Sequence, residues 1–326
     1  MNNKNTNRIF PLIKKGRFYN GPNDISESFL FHTLPSFIAA AIGRKKRLPE
    51  NIDAWIGADP VTRLSSEPVI TWIGHATFLI QVAGINILTD PIFGDASFLF
   101  KRVLPPGVAL KELPPIDLVL ISHNHPDHCN RATLKALRHA HPNARLLVPQ
   151  GDAHWLRAQG LGPVSEHAWW QPYQHQKDQN VPVTCTFLPA HHWSARGMFD
   201  RNYSLWGSWM IESAGTHIYF AGDTAYSPHF KVIAQEFNTI TSALLPIAPG
   251  EPHPSMRRTH LDAQEAVQAF LDLQASQLIP MHWGTFLFGK DHFDAPIQQL
   301  HAAWHKHTIA ASKQLSIVKV GQQVRL

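Results

Sequence analysis

The sequence predicts an α/β protein in which helices cover the faces of a sheet. Three observations carry this. From Val69 onward, short apolar runs rich in Val, Ile, Leu and Phe recur along the chain. Helical patterns with recognisable start signals fall between several of them. Several runs stop abruptly at histidine or aspartate, as in open sheets that carry a site at their strand ends.

Strands are expected at VITWI (69–73), FLIQV (78–82), NILT (86–89), LVLIS (118–122), RLLVP (145–149) and VTCTFLP (183–189). Further strands are expected at SWMIES (208–213), HIYFA (217–221), ALLPI (243–247), QLIPM (277–281) and SIVKV (316–320). Three helices are marked by their caps. Asn130 precedes RATLKALRHA, Asp262 with Glu265 forms a capping box before AVQAFLDL, and Asp294 with Pro296 opens IQQLHAAWHKH. Residues 1–68 read as an irregular, Pro- and Gly-punctuated extension with one short helix, packing on a main domain at 69–326. No short-period repeat is visible, but strand-then-helix units occur in both halves, so two related halves remain an open reading.

A chain of 326 residues with 44% hydrophobic content can bury a full core, and 16% charged residues exclude a disordered tail or coiled coil. Its two cysteines, Cys129 and Cys185, exclude a disulfide scaffold and a cysteine zinc site and fit a reducing compartment, although one pair could form. The net charge of +5 favours anionic partners such as phosphorylated substrates or an acidic membrane surface. No nucleic-acid motif or basic arm accompanies it beyond 43–47, so nucleic acid is not an expected partner. The start, MNNKNTNRIFPLIKKGRFYNG, has charge without an adjoining apolar core and does not read as a secretory signal. The run FLFHTLPSFIAAAIG, Phe29 to Gly43, is too short to span a bilayer and leads into Arg44, Lys45, Lys46 and Arg47. It either packs on the body with a solvated basic end or, through 29–47, touches anionic lipid. The expected location is cytoplasmic, and membrane-peripheral in the second case.

The chemistry is concentrated in LVLISHNHPDHCN, Leu118 to Asn130, where an apolar strand runs into His123, His125, Asp127 and His128. Pro126 makes this segment a turn, which can splay His123 and His125 toward one point and Asp127 and His128 toward another. Core packing seldom needs four metal-type ligands in so short a stretch. Neutral imidazole and carboxylate suit zinc, and also manganese or iron. The layout recurs at TFLPAHHW with His191 and His192, at HIYFAGDT with Asp223, and at QLIPMHWGT with His282. Each alone is weak; together they complete two coordination spheres, with Asp223 best used as a carboxylate shared between two ions. Such a pair lowers the pKa of a water and clamps the attacked and leaving oxygens, so no side-chain nucleophile is required. Ser122 and Cys129 beside the cluster read as a turn residue and a small buried residue. Asp90 in ILTDP reads as a residue that orients a ligand histidine. His75 in WIGHATFLI reads equally as a buried structural histidine or a functional one.

These motifs resemble the metallo-β-lactamase fold hydrolases, and within them the branch of N-acylphosphatidylethanolamine-hydrolysing phospholipase D. The resemblance runs from about residue 14 to 288, through KKGRFYN, TWIGHATFLI, ILTDPIF, ELPPIDLVLISHNHPDH, Trp169–Trp170, PAHHWSAR, LWGSWMIE, YFAGDTAYSP, THLDAQEAV and HWGTF. It implies a four-layer αββα sandwich. It implies one metal at His123, His125 and His192, a second at Asp127, His128 and His282, and Asp223 bridging them. His192 is preferred to His191 because the family's ligand directly precedes an aromatic. His260 in RRTHLD matches a histidine that lines the substrate site, or is simply a helix-start residue. The animal enzymes of the branch carry an aromatic where Pro126 stands, and their loop at 248–258 differs in detail.

The expectation is therefore a hydrolase holding two zinc ions, with manganese or iron as alternatives. It would act on a phosphodiester, foremost N-acylphosphatidylethanolamine or a similar phospholipid, with Asp127, Asp223 and His260 taking part in the chemistry. Phe93, Trp193 and Phe286 either line an acyl-chain groove or belong to the core. The rivals are a lactonase or small-phosphodiester hydrolase of the same fold, and a metal- or lipid-binding protein without turnover. The branch resemblance implies a homodimer.

Overall fold

The computed structural model describes residues 7–21, 47–65, 67–177, 181–251 and 256–326, and elements are numbered among these. The segment 29–46, with its expected lipid contact, and residues 252–255 lie outside them.

A short hairpin, β1 (Leu12–Lys14) and β2 (Arg17–Tyr19), precedes the main body. One seven-stranded sheet then runs in the order β16-β3-β4-β5-β6-β7-β8. Its members are β3 (Val69–Gly74), β4 (Thr77–Val82), β5 (Ile85–Thr89), β6 (Leu118–Leu120), β7 (Arg145–Pro149), β8 (Val164–His167) and β16 (Gln323–Arg325). The second seven-stranded sheet runs β15-β14-β13-β12-β11-β10-β9. It contains β9 (Gln171–His175), β10 (Val183–Leu188), β11 (Ser208–Ser213), β12 (Thr216–Phe220), β13 (Ser242–Pro246), β14 (Gln277–Met281) and β15 (Gln314–Leu315). Each sheet has three antiparallel pairings at one side and three parallel pairings at the other. The halves therefore share one pairing pattern, which strand-then-helix counting could only suggest.

Strand periodicity explains the layering. On β4, Phe78, Ile80 and Val82 enter the large core shared with Phe187, Trp209 and Phe220 of the other sheet, while Leu79 points the opposite way. On β6, Leu118 and Leu120 face the other sheet, and Val119 packs with Leu134 and Leu137 of helix α1 (Arg131–Ala140). Alternate residues point to opposite faces, so a strand apolar throughout is buried on both. Helix α2 (Ala153–Ala158) joins α1 on this outer face through Leu156. Helices α3 (His229–Glu236), α4 (Ala263–Asp272) and α5 (Ala295–Lys306) pack on the second sheet through Phe230, Phe270 and Leu300. The result is a four-layer αββα sandwich, as expected.

The caps at Asn130 and Asp262 form as read. Asn130 accepts from Thr133 N at 3.0 Å, and Asp262 and Glu265 close a reciprocal capping box before α4. Asp294 also stands at the start of its helix, but its carboxylate accepts from Gln298 Nε2 at 2.7 Å and caps no backbone N–H.

Several elements differ from expectation. SIVKV is not a strand: pairing with β14 is confined to Gln314–Leu315, and Val320 makes one isolated bridge to Ile56. Strands β8 and β9 escaped the apolar pattern because each lies at a sheet edge. QPYQH is largely solvent-facing, and an edge tolerates Pro172. Between them the chain crosses from one sheet to the other at Trp169–Trp170. These indoles donate to Trp206 O at 2.6 Å and Ile9 O at 2.8 Å. Among the described residues of 1–68 the chain forms the β1–β2 hairpin and a 3-10 turn at Ile52–Trp55. None of the described helices is long and apolar enough to cross a membrane.

Candidate metal centre

The C-terminal ends of β5, β6, β10, β12 and β14 deliver Asp90, the HNHPDH turn, His192, Asp223 and His282 to one place. The turn is tight because His128 N and Cys129 N both donate to His125 O, at 3.0 and 2.8 Å. Arg196 pins both of its ends, donating to Asn124 O at 2.8 Å and Cys129 O at 2.9 Å. Asp223 reaches the centre because Gly222 holds φ +59° and lies against Ser122, where a Cβ would stand 2.4 Å from Ser122 Cβ.

Two groups of side chains face each other. In the first, His125 Nδ1 lies 2.7 Å from His123 Nε2 and 3.3 Å from His192 Nε2. In the second, His128 Nε2 lies 3.2 Å from Asp127 Oδ2 and 3.3 Å from His282 Nε2. Asp223 stands between them. Its Oδ1 is 3.1 Å from His282 Nε2, and its Oδ2 is 3.3 Å from His128 Nε2, 3.8 Å from His192 Nε2 and 3.9 Å from His123 Nε2. His260 Nδ1 is 3.6 Å from the same Oδ2.

The hydrogen bonds set the tautomers. His192 Nδ1 donates to Thr259 O at 2.8 Å and His282 Nδ1 to Ala248 O at 2.9 Å, since a carbonyl can only accept. His128 Nδ1 donates to Asp90 Oδ2 at 2.8 Å. Ser122 Oγ gives its own proton to Asp90 Oδ2 at 2.5 Å and so accepts from His123 Nδ1 at 2.9 Å. All four histidines thereby aim inward Nε2, the nitrogen that offers a lone pair in the neutral ring. Such nitrogens 3.3 Å apart need a cation between them. Two nitrogens on one tetrahedral zinc stand about 3.3 Å apart, so the donor set fits a metal. Asp223 Oδ1, His125 Nε2 and His260 Nδ1 are buried without a hydrogen-bond partner. These histidine and aspartate groups can hold metal ions.

The electrostatics agree. Burial holds His125, His192 and His260 at about 3, neutral and able to coordinate. Burial alone would lower His128 as well, but Asp223 and Asp127 raise it well above the ordinary imidazole value. Burial would raise those two carboxylates, yet the surrounding histidines, His128 foremost, hold both well below the usual range. The carboxylates demand positive charge at this point, and a divalent ion meets the same demand.

The structure brings together all eight residues singled out in the sequence: His123, His125, Asp127, His128, His192, Asp223, His260 and His282. His191 is not among these metal-capable groups and ties the loop by its backbone, its N donating to Thr224 Oγ1 at 2.9 Å. Ser122 is more than a turn residue, because its hydroxyl links Asp90 to His123. Its position before His123 was visible in the chain, but its direction was not. His75 belongs to the centre. Its Nε2 lies 2.9 Å from Asp127 Oδ2, its ring packs 4.0 Å from that of His282, and its carbonyl accepts from His282 N at 3.1 Å. Trp193 packs edge-on against His125 with centroids 4.2 Å apart, and Phe286 against His75 at 5.1 Å. Phe93 instead packs with the outer cluster under α1.

Two sheets between helices, with paired histidine–aspartate groups at one edge, define the metallo-β-lactamase fold, a hydrolase fold. The chain belongs to the beta-lactamase superfamily domain family, whose model matches residues 85–283. It is 34% identical over 230 residues to N-acyl-phosphatidylethanolamine-hydrolyzing phospholipase D 1 of Caenorhabditis elegans, covering 67% of this chain and 64% of that protein. It is 33% identical over 245 residues to the mitochondrial N-acyl-phosphatidylethanolamine-hydrolyzing phospholipase D of Saccharomyces cerevisiae, covering 72% and 52%. The chain thus spans less than two-thirds of the length of either. Among solved structures, a metallo hydrolase of the archaeon Ignicoccus hospitalis superposes with a TM-score of 0.60 at 22% identity, covering 80% of this chain and 99% of that one. At that identity the likeness speaks for the fold.

Proposed function

We propose that the protein is a binuclear metal-dependent phosphodiesterase of phospholipase D type, acting on N-acylphosphatidylethanolamine or a similar phospholipid. The observation that carries this is the position of the Asp223 carboxylate between two groups of inward-aimed histidine nitrogens. In this reading His123, His125 and His192 hold one ion, Asp127, His128 and His282 the other, and Asp223 both. Zinc suits the donors best, and manganese or iron would also serve. Two such ions supply an activated water and stabilise charge on the phosphoryl and leaving oxygens.

The chain's own residues do the positioning. Asp90 and Ser122 fix the tautomers of His128 and His123, and His75 fixes Asp127. His260, neutral and adjacent to Asp223, is placed to hydrogen-bond a phosphoryl oxygen. A lipid substrate is supported by the activity that the two relatives are named for, hydrolysis of N-acyl-phosphatidylethanolamine. Residues 1–68 are read as an extension that packs on the body, supported by Trp55 against Trp283 and by Asn20, which bonds both N and O of His192.

The test is release of N-acylethanolamine and phosphatidic acid from dispersed N-acylphosphatidylethanolamine by metal-loaded protein, with Asp223→Asn as the blank. Release that vanishes in the variant supports the proposal. A doubly metallated protein that releases nothing from this lipid but opens lactones or cleaves small phosphodiesters overturns the lipid substrate. One inert toward all of them is a binding protein.

A further inference from the structure

Apolar side chains stand exposed beside the metal centre on two connected segments. The loop leading away from His192 carries Met198 at 71% exposure, Phe199 at 83% and Tyr203 at 50%. The β1–β2 hairpin carries Ile13 at 58%. Arg17 joins the two: its guanidinium donates to Arg201 O and to Phe199 O, and stacks 4.0 Å above the Tyr203 ring. Phe18 N donates to Asn202 O at 2.8 Å. Hairpin and loop thus form one surface, held to the centre through Asn20 on His192.

The charge around this surface is one-sided. Lys14 and Lys15 stand exposed on the hairpin beside the partly exposed Arg17, and the single acid in residues 12–20 and 193–206 is Asp200. That carboxylate is occupied, accepting from Arg196 N and Gly197 N. Met198, Phe199, Tyr203 and Ile13 are gathered on these two linked segments, and clustered exposed apolar groups, unlike scattered single ones, mark contact surfaces. Protruding apolar tips flanked by the exposed Lys14 and Lys15 match the two layers of an anionic lipid surface, acyl chains below and phosphates above.

We propose that the β1–β2 hairpin and the 196–203 loop form a docking surface for an anionic lipid–water interface, with Met198 and Phe199 entering the apolar layer and Lys14 and Lys15 contacting headgroups. The proposal deepens the phospholipase reading and rests on it for purpose, since such docking brings the metal centre to its substrate. It also assigns lipid contact to a different part of the chain from segment 29–47.

The full-length metal-loaded protein is sedimented with vesicles of phosphatidylcholine alone or with phosphatidylglycerol. Binding is expected only to the anionic vesicles and is expected to weaken in high salt. Met198→Ser with Phe199→Ser should lower the partition coefficient by about tenfold or more, and Lys14→Gln with Lys15→Gln by roughly fivefold per charge removed. Turnover of a monomeric short-chain phosphodiester should be unchanged in both double variants, and their melting temperatures should match the parent. Equal sedimentation of parent and variants overturns the proposal, as does a parent that ignores anionic vesicles. A parent dimer that becomes monomeric in the Met198/Phe199 variant overturns it in favour of a self-association surface. Vesicle binding without turnover of any phosphodiester supports the docking surface and overturns the function proposed above.

Discussion

Asp90 Oδ2 takes hydrogen bonds from both His128 Nδ1 and Ser122 Oγ, at 2.8 and 2.5 Å, so one buried carboxylate sets the orientation of histidines in both metal-binding groups. In Asp90→Asn an amide nitrogen placed there cannot accept, and the tautomer of His128 is freed. Metal affinity should fall by about 10–100-fold while the fold persists. Competition with a coloured chelator measures it, and unchanged affinity would remove Asp90 from the metal support.

Removing the metals should destabilise the protein, because paired nitrogens and carboxylates are then left buried without a divalent ion between them. A metal at a hundred times its dissociation constant adds about 2.7 kcal/mol. The melting temperature should therefore drop after chelation and recover on adding zinc, manganese or iron. A melting temperature indifferent to all three would argue against a resident metal.

Gly222→Ala should be costly through packing alone. The new Cβ would lie 2.4 Å from Ser122 Cβ and 2.7 Å from Ser122 Oγ, at a backbone φ of +59°. Overpacking of this kind costs about 1–3 kcal/mol, and the positive φ adds strain. Denaturant unfolding gives the stability change, and metal affinity should fall with it because Ser122 supports His123. A variant as stable as the parent would show that the loop relaxes freely.

Asp152 predicts a pH effect. Burial raises its carboxyl from 3.8 to about 6, against the hydrogen bonds of Ser204, Asn124 and Trp155 and the charge of Arg196. Between those two values the folded protein holds a proton that the unfolded chain has lost, so stability falls as pH rises through the window and is level above it. The shift corresponds to about 3 kcal/mol. In Asp152→Asn this component should vanish, so the variant gains on the parent between pH 4 and 6.5, roughly the window of the shift. Melting curves at several pH values decide it; parallel profiles would place the proton elsewhere.

Cys129 and Cys185 are both fully buried, and burial pushes both thiols far up. Neither should react with a thiol reagent in the native protein, and both should react after unfolding. Fast native labelling at either would contradict the packing.

Much of this was legible because strand and ligand signals are local. Runs such as LVLIS and YFAGDT announce a strand by composition, and a ligand by the polar residue that ends it. Edge strands do not announce themselves: QPYQH pairs on one side only and needs no apolar alternation. SIVKV looks like a strand, but its chain leaves β14 after two residues and turns toward Ile56. Ser122 was hidden, and the two readings of His75 could not be separated, because their partners Asp90 and Asp127 lie far along the chain.

Local pattern sufficed for the α/β class, the caps at Asn130 and Asp262 and the kinds of donor at the centre, because backbone preference and coordination chemistry depend on residue type and near neighbours. Which atoms meet was left to folding. Asp223 comes to lie among His123, His128, His192 and His282 only when two sheets with the same pairing pattern stack and bring β6, β10, β12 and β14 to one edge. Such distances arise from packing between remote segments, and that information is shared across the whole chain.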